Sequence, residues 1–168
     1  TSLAKALVFR SWTSDSNPKS IGKNLIEQLD DIYEDFGYFI EVNKSKVLEG
    51  ADGAKLIQKL VKSYSELQPT KVDSSNVTKV VNFAKENILD IEGDSIPKEN
   101  MLFIYLEDGR HFAIRPSGTE PKIKFYLFGH CAPEIIRQTG LDDAKEITNK
   151  NISSLWQWIQ NDIDRRLE

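Results

Sequence analysis

The sequence predicts an α+β fold, one antiparallel sheet with helices covering one face, and three observations predict it. Two apolar runs, 101–106 and 110–115, flank the turn pair Asp108-Gly109, as a β-hairpin requires. Apolar residues recur at helical spacing toward both ends of the chain, around 24–36 and 142–167. Strands joined by tight turns pair antiparallel, and helices gathered outside that run cover a single face.

Each element has its own justification. Residues 3–12 are apolar enough for a short helix, ended by the polar run Thr13-Ser14-Asp15-Ser16-Asn17-Pro18. Asn24 with Glu27 forms a capping box; Leu25, Leu29, Ile32, Tyr33 and Phe36 then recur at helical spacing until Gly37 stops the helix. Tyr38, Ile40 and Val42 alternate, which predicts a strand over 38–47. Leu56, Ile57, Leu60, Val61 and Tyr64 make a helical face over 54–67, closed by Pro69. Between 71 and 100 only short apolar runs around 77–83 are legible, with an exposed loop at 92–97. After the hairpin, a punctuated loop over 116–121 leads into a strand over 122–128. Ile123, Phe125 and Leu127 share one face of it, and Lys124, Tyr126 and Phe128 the other. Ile147, Ile152, Leu155, Trp156, Ile159 and Ile163 line a long helix over 142–167. Trp158 lies off that stripe, toward solvent or a neighbouring domain.

Composition narrows the function classes. A chain of 168 residues, 39% hydrophobic and 29% charged, reads as an ordinary globular protein of one domain with room for at most a small second piece. No run of about 18 apolar residues is present to span a membrane. The net charge of −4 and a pI near 5.3 argue against a general nucleic-acid binder, so any anion site must be local. The single cysteine, Cys131, excludes an internal disulfide framework, fits a reducing cytoplasm and reads as a small semi-buried side chain. His111 and His130 have no neighbours at metal-ligand spacing, which argues against zinc. The start at Thr1, with neither an initiator methionine nor a secretory layout, suggests a cut or processed chain.

Chemistry concentrates in residues 115–124, Arg-Pro-Ser-Gly-Thr-Glu-Pro-Lys-Ile-Lys. Arg115 ends one strand and Lys124 lies in the next, so the connection brings two cations to one mouth. Ser117 and Thr119 add hydroxyl donors, and Gly118 lets main-chain N–H groups approach a bound anion. Arg grips two phosphate oxygens at once and Lys adds a point charge, a set that suits a phosphate monoester better than a carboxylate. The plainer reading of Ser-Gly-Thr is a tight turn between strands. Both remain open on the residues alone.

The run 112–126, Phe-Ala-Ile-Arg-Pro-Ser-Gly-Thr-Glu-Pro-Lys-Ile-Lys-Phe-Tyr, closely resembles the C-terminal phosphate-binding motif of the α-D-phosphohexomutase superfamily. Its Lys-Ile-Lys-Phe-Tyr ending leans toward the phosphoglucomutase and phosphopentomutase branch. Residues 22–25, 29–33 and 37–39 resemble the segment crossing from that family's third domain into its fourth. The resemblance implies that 1–36 are the helical tail of a preceding domain. It also implies that 37–168 are a C-terminal phosphate-binding domain with a four-stranded, TATA-binding-protein-like antiparallel sheet and helices on one face. By position, Arg115, Ser117, Gly118 and Thr119 would contact phosphate and Lys124 would add a further basic contact, while Glu120 and Lys122 belong to loop structure and rim. In the family, this loop holds the substrate's non-reacting phosphate while a phosphoserine elsewhere exchanges a phosphoryl group with the sugar, with Mg²⁺ in the intact enzyme.

The family's phosphoserine loop (T-A-S-H-N-P), magnesium loop (D-G-D-G-D-R) and sugar-reading loop (G-E-x-S) do not occur in the sequence. Asp30-Asp31 and Asp142-Asp143 read as solvated faces or first-turn acids rather than metal ligands. The expectation is therefore a C-terminal fragment of a cytoplasmic phosphoglucomutase or phosphomannomutase, inactive by itself and binding no cofactor of its own. Its expected partners are a hexose or pentose phosphate and the other domains of the parent enzyme, not nucleic acid or a membrane. The alternative is a stand-alone phosphosugar-binding module without catalysis.

Overall fold

The computed structural model describes residues 24–50 and 52–168. The helix expected over 3–12 lies outside the described residues. Two compact units emerge: the described residues through Phe39 with Cys131–Ile147, and Ile40–His130 with Thr148–Glu168.

In the first unit, helix α1 (Leu25–Phe36) starts where its capping box places it. The Asn24 side chain accepts from the N–H groups of Ile26 and Glu27, and the Glu27 carboxylate accepts from the Asn24 N–H at 2.8 Å. Gly37, at φ 99°, takes the left-handed conformation that ends the helix. Strand β1 (Tyr38–Val47) begins immediately after, and Tyr38 meets the Tyr33 ring edge-on at 5.0 Å. Cys131 is buried in a small core with Ile136 and Ala144, flanked by Tyr38 and Leu141. Lys145 reaches Asp30 at 2.7 Å. The predicted stripe on α1 is only partly covered: Leu25 and Phe36 are exposed, and so is Ile26 beside them.

In the second unit, helix α2 (Gly53–Glu66) is followed by strands β2 (Lys71–Val72), β3 (Ser75–Asn82), β4 (Leu102–Leu106), β5 (His111–Pro116) and β6 (Lys122–Cys131). Helices α3 (Pro133–Thr139) and α4 (Leu141–Leu167) complete the chain, the break between them falling at Gly140. The strand order is β1-β6-β5-β4-β3-β2, and the pairs from β2 through β6 are all antiparallel. Leu48, just after β1, donates to the Pro121 carbonyl just before β6, and Ile40 lies against Gly129 near the end of β6. β1 therefore also runs opposite to β6.

The α+β class holds, with six strands where four were expected. The two extra strands come from the Lys71–Asn82 region, whose hairpin turns at Asp73-Ser74 with Asp73 at φ 53°. Its polar edge sequence and a register shift between Val77 and Lys79 break the alternation that would have announced it. Residues 92–97 form the expected loop.

The core lies between one sheet face and the helices. Leu102, Ile104, Phe112, Ile114, Ile123, Phe125 and Leu127 of the sheet meet Ile57, Leu60 and Tyr64 of α2 and Ile152, Leu155, Ile159 and Ile163 of α4. Trp156 packs against Phe125 at 5.7 Å between ring centres. Trp158, expected off the apolar stripe, is half-buried and packs against this same core. The opposite sheet face carries stacked rings, with His111 4.6 Å from Phe128 and 5.2 Å from Tyr105.

Candidate functional site

The hydrogen-bond register of β5 and β6 decides what their connecting loop presents. Arg115 and Lys124 are directly opposed partners in this antiparallel pair, as are Ile114 with Phe125 and Pro116 with Ile123. Because side chains alternate, the buried Ile114, Ile123 and Phe125 take the core face and the two cations share the other. Directly opposed side chains stand about 5 Å apart at Cβ, where like charges repel. The Glu99 carboxylate, 3.4 Å from Arg115 Nη2, relieves one of them. Lys124 has no ion pair among the described residues.

The loop between these strands is closed by its own backbone. The Ser117 N–H donates to the Lys122 carbonyl at 2.9 Å, and the Lys122 N–H donates to the Glu120 carbonyl at 2.7 Å. The Ser117 N–H is thus already used within the chain. The N–H groups of Gly118, Thr119 and Glu120, and the hydroxyls of Ser117 and Thr119, make no hydrogen bond to the described residues. All lie at a partly or fully exposed surface, so water serves them without a burial penalty. Lys122 forms an ion pair with Glu120; that hydrogen bond, helped by the Lys124 charge, holds the Glu120 carboxyl below its ordinary range.

Two concavities flank the loop. One, of about 360 Å³, is lined by 117–121 together with Ala54, Ile57 and Gln58 of α2. The other, of about 260 Å³, is lined by Asn43, Lys44 and Ser45 of β1 with Lys122, Lys124, Phe125 and Tyr126 of β6. The predicted residues therefore divide: Ser117, Gly118 and Thr119 line the first, Lys124 lines the second, and Arg115 lines neither while sharing a sheet rung with Lys124. Residues 43–45 escaped the sequence reading. They form a polar tail on a strand recognised by its apolar start, and only the pairing of β1 with β6 brings them to the loop.

Other candidates find structural roles. His111 sits between two rings, and burial pushes its imidazole pKa down, as suits packing rather than charge. Asp30 pairs with Lys145, in keeping with a solvated ion pair. For the magnesium implied in the intact enzyme, no three His, Cys, Asp or Glu side chains converge as a ligand set among the described residues. These residues do not fit such an ion. No helix among the described residues is long and apolar enough to cross a membrane.

A phosphoglucomutase of Staphylococcus epidermidis (strain RP62A) is 32% identical over 118 residues, 67% of this chain and 21% of the relative. One from Staphylococcus aureus (strain MRSA252) is 30% identical over 121 residues, 69% of this chain and 22% of the relative. The chain thus spans about a fifth of the length of these curated relatives. Among solved structures, the open form of the Paramecium phosphoglucomutase pp63/parafusin overlaps 88% of this chain and 26% of its own, at 14% identity and a TM-score of 0.40. The family described as phosphoglucomutase/phosphomannomutase, C-terminal domain, matches residues 22–139, which covers the α1–β1 junction, the sheet and the whole 115–124 loop. This chain belongs to the phosphoglucomutase/phosphomannomutase C-terminal domain family.

Proposed function

We propose that this chain is the phosphate-recognition domain of a larger phosphohexomutase. It would hold the non-reacting phosphate of a hexose or pentose phosphate, and of the bisphosphate intermediate, while another part of the enzyme transfers the phosphoryl group. Arg115, Ser117, Gly118, Thr119 and Lys124 are its proposed phosphate-binding residues. In this reading residues 1–36 are the tail of the preceding domain and 37–168 the recognition domain.

One observation carries the proposal: two cations opposed on one sheet rung stand at the mouth of a loop with unspent N–H and hydroxyl donors. Opposed like charges cost stability, and a phosphate placed against them would turn that repulsion into attraction. Donors held in place before the ligand arrives lose little freedom on binding. The domain's task is then orientation. Phosphoryl transfer depends on positioning and charge stabilisation, and this domain would supply the positioning at the end of the sugar away from the chemistry. Any magnesium would be held elsewhere in the enzyme.

Titrating the 168-residue chain with glucose 1-phosphate while following the amide resonances of Ser117, Gly118 and Thr119 tests this directly. Saturable movement at millimolar ligand is expected. Silence of all three at that concentration would leave the loop a plain strand connection. In the full-length enzyme, Arg115→Ala should lower kcat/KM about 10- to 100-fold, the loss of roughly 1.5–3 kcal/mol from one charge-assisted contact. Normal kinetics in that variant would overturn the role given to Arg115.

A further inference from the structure

Independently of the phosphate reading, we infer that the free edge of strand β1 is an interface for a second copy of this chain, the two β1 strands pairing antiparallel about Asn43 and joining two sheets into one. β1 stands at one end of the strand order and β2 at the other. β2 is two residues long and β1 ten, so only β1 offers the length of edge that a ladder needs. An edge strand turns alternate N–H and C=O groups away from its neighbour. The bond from the Leu48 N–H to the Pro121 carbonyl decides which ones, and the close approach of Ile40 to Gly129 keeps the same register. Even-numbered residues of β1 face β6, while Glu41, Asn43, Ser45 and Val47 turn their main-chain groups outward. Those outward groups make no hydrogen bond to the described residues.

The sequence of β1 is self-complementary in one register. A two-fold pairing brings the same patch of each copy together, and outward residues must meet outward residues. With Asn43 on the axis, Glu41 lies opposite Ser45 of the second copy, and these pairs with the central one exchange about six main-chain hydrogen bonds. The same register sets Phe39 against Val47 of the second copy. Both side chains are large, apolar and exposed, at 61% and 51%, and both lie on the sheet face that the helices leave open. Centring the pair on Glu41 would set that carboxylate against its own copy, and centring it on Val42 or Lys44 would part Phe39 from Val47. On the helix-covered face, Ile40 and Val42 meet Lys46 and Lys44 of the second copy, whose methylene stems can cover them. Lys46 is already tied to Asp164 at 3.3 Å. Lys44 faces its own copy diagonally across the axis, a like-charge contact that keeps the association weak.

Sedimentation velocity of the 168-residue chain, taken up to millimolar concentration, should show a monomer–dimer equilibrium. Asn43→Pro removes an outward donor while leaving the β1–β6 ladder intact, since an edge strand tolerates proline where its N–H side meets solvent. That variant should weaken the dimer at least about tenfold, with its circular dichroism unchanged. Lys44→Gln should tighten it roughly 2- to 5-fold by relieving the diagonal repulsion. Register is read by thiol crosslinking with a short bismaleimide, the buried Cys131 of the parent chain serving as the background. Asn43→Cys should link to its own copy. Val47→Cys should not, because in this register its copy stands roughly 27 Å away along the strands. A parent chain that stays monomeric at every concentration overturns the inference, and so does a dimer undiminished in Asn43→Pro. If Asn43→Pro fails to fold, the crosslinks decide: equal yields from Asn43→Cys and Val47→Cys would place the contact elsewhere and sink the β1 pairing.

Discussion

Gly118 separates what the loop needs in order to fold from what it needs in order to bind. A Cβ built there meets nothing within 4 Å, and its φ lies outside the left-handed region. Nothing among the described residues therefore requires glycine at this position, unlike Gly37, whose φ of 99° does. If glycine serves ligand approach, Gly118→Ala should leave the melting temperature within about 1 °C of the parent and weaken phosphate binding about tenfold. Parallel thermal melts and phosphate titrations measure both, and equal binding would make Gly118 an ordinary turn residue. At this scale the sequence was legible wherever chemistry sits in one continuous run, since donor types and cation spacing can be read directly over 115–124. It was illegible where partners arrive through the fold. Glu99, which pairs with Arg115, lies sixteen positions away by subtraction of the two residue numbers, and nothing local marks it.

The elements were announced by their boundaries more clearly than by their interiors. The capping box at Asn24, the stop at Gly37 and the turn at Asp108-Gly109 each appear in the structure where local chemistry places them. The hairpin of β2 and β3 was missed because its burial pattern does not alternate: β3 is a polar strand with a register shift at Val77/Lys79. Short helix α3 was missed as well, being a single seven-residue segment fixed by Pro133 at its start. Contact between elements also makes a prediction at Gly129 on β6. A Cβ there would stand 3.0 Å from Ile152 Cδ1 and Cγ1 on α4 and 3.0 Å from Ile40 Cγ2 on β1. Three elements converge too closely for a side chain, so Gly129→Ala should cost about 1–3 kcal/mol. Urea denaturation would show a lower midpoint at an unchanged slope. A midpoint equal to the parent's would mean that the isoleucines repack freely.

Across the sheet-and-helix unit as a whole, one buried cation joins segments distant in sequence. Arg110, with its side chain 8% exposed, donates from Nε and Nη2 to the Asp108 carboxylate at 2.9 and 2.6 Å. Its Nη1 donates to Asp73 at 3.1 Å and to the Asn151 carbonyl at 2.8 Å. Asp73 also accepts from the Ser154 hydroxyl at 2.9 Å. The β2–β3 turn, the β4–β5 turn and helix α4 thus meet at one guanidinium, an arrangement invisible in a sequence that shows only a charged residue after a turn. Removing the cation leaves two carboxylates facing each other, so Arg110→Leu should lose about 3 kcal/mol of unfolding free energy. The pH dependence distinguishes an electrostatic tie from simple packing. Burial alone would raise the Asp108 pKa, but the hydrogen bonds and charge of Arg110 outweigh it and hold the carboxyl below its ordinary value of 3.8. A lowered folded-state value means that ionised Asp108 stabilises the fold above that pH, and that the contribution is lost as pH falls through the lowered value. Asp108→Asn should accordingly be less stable than the parent near pH 7, with the gap closing below about pH 4 as the parent's own carboxyl takes up a proton. Melts of both proteins across that range test the point. A gap independent of pH would show that the tie works through hydrogen-bond geometry, with the charge on Asp108 contributing nothing.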